Sequence, residues 1–366
     1  MACCSTTEPL GCVRSLPEGM AMKVVHAHFG KDGGAERFFV NLVNALHEHG
    51  VEQKFVIRPN RAWRSEIDHC GEIIENHYRR VSISAVLLEF RFRRLLCDFK
   101  PDAIMSWMPR ASRLMRKNGG AVKIARLGDF PKNLKHFGNC DVLVGNMPGI
   151  GWRCRELGWE KPVQIISNFP RDISNKKIDR SELDTPDDAL LVTAAGRFVP
   201  RKGFDLLIRA VARLKNAHLW LIGEGQEAEN LKNLAKERGA NGRIRFVGWK
   251  DDPSPYVAAS DIFCMPSRHE PLGNVILEAW SIGVPVVAAR SEGPSWFMCD
   301  EDNGLMVAID DVDGFANAFE RLHSDDRLRN RIVEGGHETL ARRFSKQAIA
   351  QQYMRLFSGQ IEDHGI

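Results

Sequence analysis

Residues 265–287 read MPSRHEPLGNVILEAWSIGVPVV, and this stretch decides the fold. An apolar run from Asp261 ends at Pro266 and gives way to the polar loop Ser267-Arg268-His269-Glu270. Pro271, Gly273 and Asn274 are residue types that open helices. Leu272, Val275, Ile276 and Ala279 follow at i, i+3, i+4 and i+7, the spacing of one apolar helix face. Gly283 stops the helix, and Val284 to Ala289 reads as the next buried strand. Two acids bracket the helix start. Glu270 precedes it, and Glu278 lies roughly 12 Å up the axis if the segment is helical throughout. A helix N-terminus offers unpaired N–H groups and a positive dipole to an anion. Acids on both sides of an anion site suit a ligand with a phosphate between two hydroxyl-bearing ends, the layout of a nucleotide sugar.

The same alternation extends in both directions. Upstream, Leu190–Ala195 reads as a strand and Asp205–Leu214 as a helix. His218–Ile222 is a strand ending in Gly223-Glu224-Gly225, and Glu227–Glu237 is a helix. Ile244–Val247 is a strand, and Tyr256–Ala259 a short helix. Downstream, helices are expected near 312–324, 326–339 and 346–357. The last, KQAIAQQYMRLF, is expected to return to the first half of the chain.

That first half opens with the strand MKVVHAHF (Met22–Phe29) and the loop Gly30-Lys31-Asp32-Gly33-Gly34. A helix marked by Phe39, Leu42, Val43 and Leu46 follows. Paired glycines let backbone approach a ligand, though an ordinary strand-to-helix turn reads the same way, and the GxGxxG dinucleotide fingerprint is absent. Further strands are expected at 54–58, 72–74, 103–107, 122–127, 140–144 and 163–166. Strand–helix alternation in both halves implies two parallel-sheet α/β domains. The boundaries are 1–21 as a disordered extension, with Met20 or Met22 as an alternative start, and 22–170 as the first domain. A polar linker covers 171–189, the second domain 190–345, and a returning helix 346–366.

Composition narrows the class. Hydrophobic residues make up 43% of 366, enough for two buried cores. The formal charge of +4 is too small to argue for nucleic acid, yet permits contact with an anionic membrane or substrate. Nine cysteines with no CxxC pair read as reduced thiols in a cytoplasmic protein. No apolar run is long enough to span a bilayer. The segment from Arg79 to Asp102 joins apolar Val86, Leu87, Phe90, Leu95, Leu96 and Phe99 to Arg79, Arg80, Arg91, Arg93, Arg94 and Lys100. It reads either as a packed helix with a solvated basic face or as a helix lying on an anionic membrane.

The loop Gly196-Arg197-Phe198-Val199-Pro200-Arg201-Lys202-Gly203 places two cations, Arg197 and Lys202, after a buried strand. Beside the Glu270–Glu278 stretch they can hold a diphosphate and stabilise the charge that develops on it as it leaves. Asp251-Asp252 and Asp310-Asp311 read as turns and caps, so no metal is expected. Asp129, after the 122–127 strand, reads equally as an acceptor contact or a loop cap.

The order GRFVPRKGFDLLIRA, LIGEGQ, FVGW and ASDIFCMPSRHEPLGNVILEAWSIGVPVVA resembles retaining glycosyltransferase family 4, and Gly33-Gly34-Ala35-Glu36 resembles that family's first-domain loop. The resemblance implies the GT-B fold, two Rossmann-like domains facing a central cleft. It also implies roles. Arg197 and Lys202 would hold the donor diphosphate. Glu270 would contact the transferred sugar and Glu278 the ribose. Gly273 and Asn274 would cradle the diphosphate with Leu272 nearby, and the loop at Gly248 would border the base. Gly33 and Gly34 would approach from the opposite lobe. Pro271 and Gly128-Asp129 depart from the family pattern, which often has phenylalanine or glycine after the first glutamate and a His-Asp pair after the fourth strand. The expected reaction is hexose transfer from a nucleotide-diphosphate sugar to a glycan or glycolipid acceptor, such as lipopolysaccharide core, at the inner face of the cytoplasmic membrane. No cofactor is expected. A nucleotide-sugar epimerase or hydrolase and a non-catalytic nucleotide-sugar-binding protein share this architecture and remain as alternatives.

Overall fold

The computed structural model describes residues 21–31, 33–78, 82–115, 120–173 and 176–364. Apart from Ala21, the expected N-terminal extension lies outside them. So do Asp32 of the glycine loop, Arg79 and Arg80 of the basic segment, and Ser174-Asn175 of the linker.

The first sheet comprises β1 (Lys23–His28), β2 (Glu52–Ile57), β3 (Gly71–Glu75), β4 (Ala103–Ser106), β5 (Val122–Leu127), β6 (Val142–Gly145) and β7 (Val163–Ile165). The second comprises β8 (Leu190–Ala195), β9 (Ala217–Ile222), β10 (Ile244–Gly248), β11 (Ile262–Met265), β12 (Val286–Ala289) and β13 (Leu305–Val307). Their orders are β3-β2-β1-β4-β5-β6-β7 and β10-β9-β8-β11-β12-β13. The pairings are parallel. Both faces of a parallel sheet are covered, which is why these strands read as continuous apolar runs. β9, AHLWLI, is buried at every position.

In the first half, α1 (Gly34–Glu48) packs on one face of the sheet, and α2 (Ile83–Phe99) and α3 (Pro148–Glu156) on the other. In the second half, α4 (Phe204–Arg213) and α5 (Ala228–Glu237) cover one face, and α6 (Ser254–Val257), α7 (Asn274–Ile282) and α8 (Glu292–Phe297) the other. The chain closes with α9 (Val312–Ser324), α10 (Asp326–Arg343) and α11 (Lys346–Phe357). Ser345 caps α11 through Ala348 N–H, and Lys346 pairs with Glu48 of α1 at 2.7 Å. Ile349, Ala350, Tyr353, Leu356 and Phe357 of α11 are buried in the core beneath α1.

Three elements were not read from sequence: α3, α8 and β13. They are short, and PGIGWRCRE and EGPSWF carry the glycines and prolines that mark loops. The pivotal helix also starts later than its apolar spacing implies. Gly273, at φ 92°, is its N-cap, and only Asn274 onward is helical. Glu278 therefore stands about one turn into the helix, not two.

Helix α2 packs through one face and leaves an apolar stripe exposed on another. Leu88, Phe92 and Leu95 are buried, but Ile83, Val86, Leu87 and Phe90 are 82%, 69%, 59% and 73% exposed. These four occupy i, i+3, i+4 and i+7, so they form one exposed apolar stripe, with exposed Arg91, Arg93 and Arg94 in the next turn. Among the described residues no helix is long and apolar enough to cross a membrane.

Candidate active site

Strand order reverses between β1 and β4 in one sheet and between β8 and β11 in the other. Crevices for ligands in open α/β sheets form outside the carboxyl ends of strands at such reversals. The loops after β8 and β11 are the two that sequence singled out. β8 and β11 pair only at Val192–Ile262 and Thr193–Phe263. Beyond those residues the strands part, and the 196–203 and 266–273 loops face each other across the gap.

The two loops are tied together. Arg268 N–H donates to Arg201 O at 2.8 Å. The Arg268 guanidinium grips Asp205 through two bonds of 2.8 and 2.9 Å, and also Asp310 at 2.6 Å and Pro200 O at 2.8 Å. Those carboxylates, Asp205 first, push its pKa up. Arg268 is thus consumed in holding the rim.

Within the rim Lys202 Nζ donates to Glu270 Oε2, and the two side chains are only 18% and 12% exposed. Glu270 is fixed by its backbone as well. Its N–H donates to Glu292 Oε2 at 3.1 Å, and its carbonyl accepts from Gly293 N–H at 2.9 Å. Helix α7 begins three residues beyond Pro271 with no side chain capping its first turn, so those N–H groups are open to an anion. Leu272 is buried beside this start. Glu278, one turn up, is 18% exposed and lies 3.5 Å from Arg171 Nε. Burial pushes the Glu278 carboxyl pKa up, against the opposing pull of Arg171. Arg171 in turn donates to Asp251 O at 2.8 Å and pairs with Asp252 at 3.3 Å. Gly248 closes the far side, its carbonyl accepting from Gly223 N–H at 2.9 Å, and the adjacent Trp249 ring is half exposed.

The opposite wall is the start of α1. A Cβ on Gly34 would lie 3.4 Å from Asn274 Nδ2, so the glycine loop meets the first residue of α7 across the cleft. Asp129 accepts from Phe130 N–H at 2.8 Å as a loop cap, and it faces Arg201 at 3.8 Å and His269 at 3.7 Å on the other lobe.

The structure therefore brings Lys202, Glu270, Gly273, Asn274, Gly34 and Glu278 to one cleft. The side chain of Arg197, on the same loop as Lys202, is exposed and makes no hydrogen bond or ion pair with a described residue. Asp311 caps α9 through Gly314 N–H, and Asp252 caps the turn at Ser254. Among the described residues, no three His, Cys, Asp or Glu side chains cluster as a metal site. Sequence reasoning missed Glu292, Arg171, Arg126 and Asn168 as site residues. Arg126 carried a signal, a cation inside the buried strand VKIARL.

Comparison with known proteins agrees with this architecture. The family described as "Glycosyl transferases group 1" matches residues 175–339. Over 337 residues the chain is 53% identical to "Lipopolysaccharide core biosynthesis glycosyltransferase LpsE" of Rhizobium meliloti (strain 1021), covering 92% of this chain and 99% of that one. It is 48% identical to LpsD of the same organism, covering 92% and 98%. Among solved structures, Anabaena HepE in complex with UDP superposes with a TM-score of 0.79 at 20% identity, over 92% of this chain and all of that one; at such identity the likeness speaks to fold alone. Two facing Rossmann-like lobes, an ordered set of second-lobe motifs and near-full-length likeness to LpsE and LpsD together place this chain in the group 1 glycosyltransferases of GT-B fold.

Proposed function

We propose that this enzyme moves a hexose from a nucleotide-diphosphate sugar to a hydroxyl of lipopolysaccharide core or a related cell-surface glycan, with retention at the anomeric carbon and without a metal or other cofactor. The observation that carries this reading is the Lys202–Glu270 pair beside the uncapped start of α7, with Glu278 one turn further on. Lys202, Arg197 and the α7 N–H groups at Gly273 and Asn274 hold the diphosphate and stabilise its charge as the glycosidic bond breaks. Glu270, drawn toward Lys202, orients the hexose. Glu278 accepts from the ribose hydroxyls, and Trp249 beyond Gly248 borders the base. The incoming hydroxyl gives its proton to the departing diphosphate, so no protein base is assigned. The names of LpsE and LpsD support a lipopolysaccharide core acceptor, and the UDP of HepE supports a nucleotide donor. The same names favour transfer over the epimerase, hydrolase and non-catalytic readings.

Calorimetric titration with UDP, GDP and ADP tests the donor site. One of the three should bind at least tenfold more tightly than the others, and Glu278→Ala should weaken that ligand at least tenfold, about 1.4 kcal/mol. No binding by any of them overturns the reading, and unchanged affinity in Glu278→Ala removes the ribose role.

The acceptor is met at the cytoplasmic face of a membrane, with the enzyme held there by α2. Its exposed stripe of Ile83, Val86, Leu87 and Phe90 enters the acyl boundary while Arg91, Arg93 and Arg94 meet anionic headgroups. The protein should float with vesicles containing phosphatidylglycerol. Val86→Asp with Phe90→Asp should abolish flotation and leave nucleotide binding intact. A wild-type protein that stays at the bottom of the gradient removes the membrane contact from the proposal.

A further inference from the structure

Arg126 of β5 is buried, yet no carboxylate among the described residues pairs with it. Its guanidinium lies 4.4 Å from the centre of the Phe38 ring and 5.2 Å from that of Trp107. Its Nε donates to Tyr353 Oη of α11 at 3.0 Å, and its Nη2 donates to Asn168 Oδ1. Asn168, itself buried, then donates from Nδ2 to Asn274 Oδ1 at 2.6 Å. Asn274 is the first residue of α7, and its own Nδ2 faces Gly34 across the cleft. These contacts form one line from the last helix, through the first sheet, to the mouth of the donor site on the other lobe.

The line has a direction. An amide can turn end for end, exchanging donor for acceptor, and a pair of hydrogen-bonded amides can reverse together without losing their bond. A guanidinium cannot, because it has five donors and no acceptor. Arg126 is clamped by two rings and a tyrosine hydroxyl, so it forces Asn168 to present its oxygen. Asn168 must then donate to Asn274, and Asn274 is left with its oxygen engaged and its NH2 group turned into the cleft. In the reverse arrangement an Asn168 NH2 would meet an Arg126 NH2, donor against donor.

We propose that Asn168, oriented by Arg126, is a positioning residue that holds the Asn274 NH2 group as a hydrogen-bond donor toward the donor diphosphate. The inference rests on the placement of the diphosphate at the start of α7 and deepens that reading. Asn274 adds a side-chain donor to backbone N–H groups already aimed the same way. Because Asn168 and Asn274 belong to different lobes, the donor is correctly turned only when the lobes stand at the spacing seen here. Diphosphate affinity and lobe closure are thereby coupled.

Asn168→Asp is the test. An aspartate keeps the shape and pairs with Arg126, so the fold is retained, but neither of its oxygens can donate to Asn274. The Asn274 amide then turns its oxygen toward the diphosphate. Calorimetric titration with whichever of UDP, GDP and ADP binds the wild type most tightly should show about a tenfold loss in Asn168→Asp, with thermal unfolding unchanged or raised. In the Asn274→Ala background the same substitution should change affinity less than twofold, because the group it positions is gone. A tenfold loss in both backgrounds would assign the effect to repulsion by the new charge and overturn the proposal, as would wild-type affinity in Asn168→Asp. A wild type that binds none of the three removes the diphosphate site itself, and this inference with it.

Discussion

Lys202→Ala is expected to lower kcat/KM for the nucleotide sugar at least a hundredfold, about 2.7 kcal/mol of transition-state stabilisation. Two losses combine. The diphosphate loses a cation seated inside the rim, at the moment when its charge rises. Glu270, whose side chain is 12% exposed, loses the group that balances it. Unlike Lys202, Arg197 is on the exposed side of its loop and cannot take over the pairing without moving. Lys202→Arg should recover little, since a planar fork does not replace a point charge in the same space. The readout is transfer to a truncated lipopolysaccharide core at varied donor concentration, alongside Glu270→Gln and the double variant. If Lys202 and Glu270 act as a pair, the double variant loses less than the two single losses multiplied together. A drop of less than threefold in Lys202→Ala removes it from the catalytic machinery.

Gly203→Ala should be severely damaging, lowering unfolding free energy by about 3 kcal/mol and weakening donor binding in parallel. Gly203 sits at φ 68°, the left-handed region, as the N-cap of α4. A Cβ there would lie 2.2 Å from Pro266 O, which is backbone and cannot swing aside. The added methyl therefore pays for the backbone conformation and also forces the Lys202 loop away from the Glu270 loop. Gly50 supplies the control: its φ is 77°, but nothing lies within 4 Å of its Cβ position. Gly50→Ala bears the conformational term alone, about 1 kcal/mol. Urea unfolding of the two variants separates strain from collision. Equal midpoints would show that the approach of the two loops does not matter to stability.

Much of this architecture was legible because a doubly covered parallel sheet writes itself as short apolar runs between helical spacings. AHLWLI and VKIARL are unambiguous in that sense. The donor rim was legible for a topological reason: loops that follow adjacent strands at a reversal must face each other. That is why Lys202 and Glu270, 68 positions apart, meet. Contacts between lobes were not legible. Nothing in the spacing of Asn168 and Asn274 brings them together, because the angle between two domains is set by packing and not by periodicity. Arg171 was read as part of a polar linker, and only the fold turns it onto Glu278. The exposure of Phe90 was hidden as well, since an apolar helical stripe looks the same whether it faces a core or a bilayer.

The return of α11 to the first lobe reverses the order in which the two halves can be completed on the ribosome. Residues 190–344 form one uninterrupted stretch and can bury their own apolar faces as soon as that stretch has emerged. The amino-terminal lobe, though made first, must wait with the groove beneath α1 uncovered until Ile349, Tyr353 and Phe357 arrive. A released chain truncated after Ser345 should accordingly hold a protease-resistant carboxy-terminal lobe attached to an amino-terminal lobe that is still cleavable.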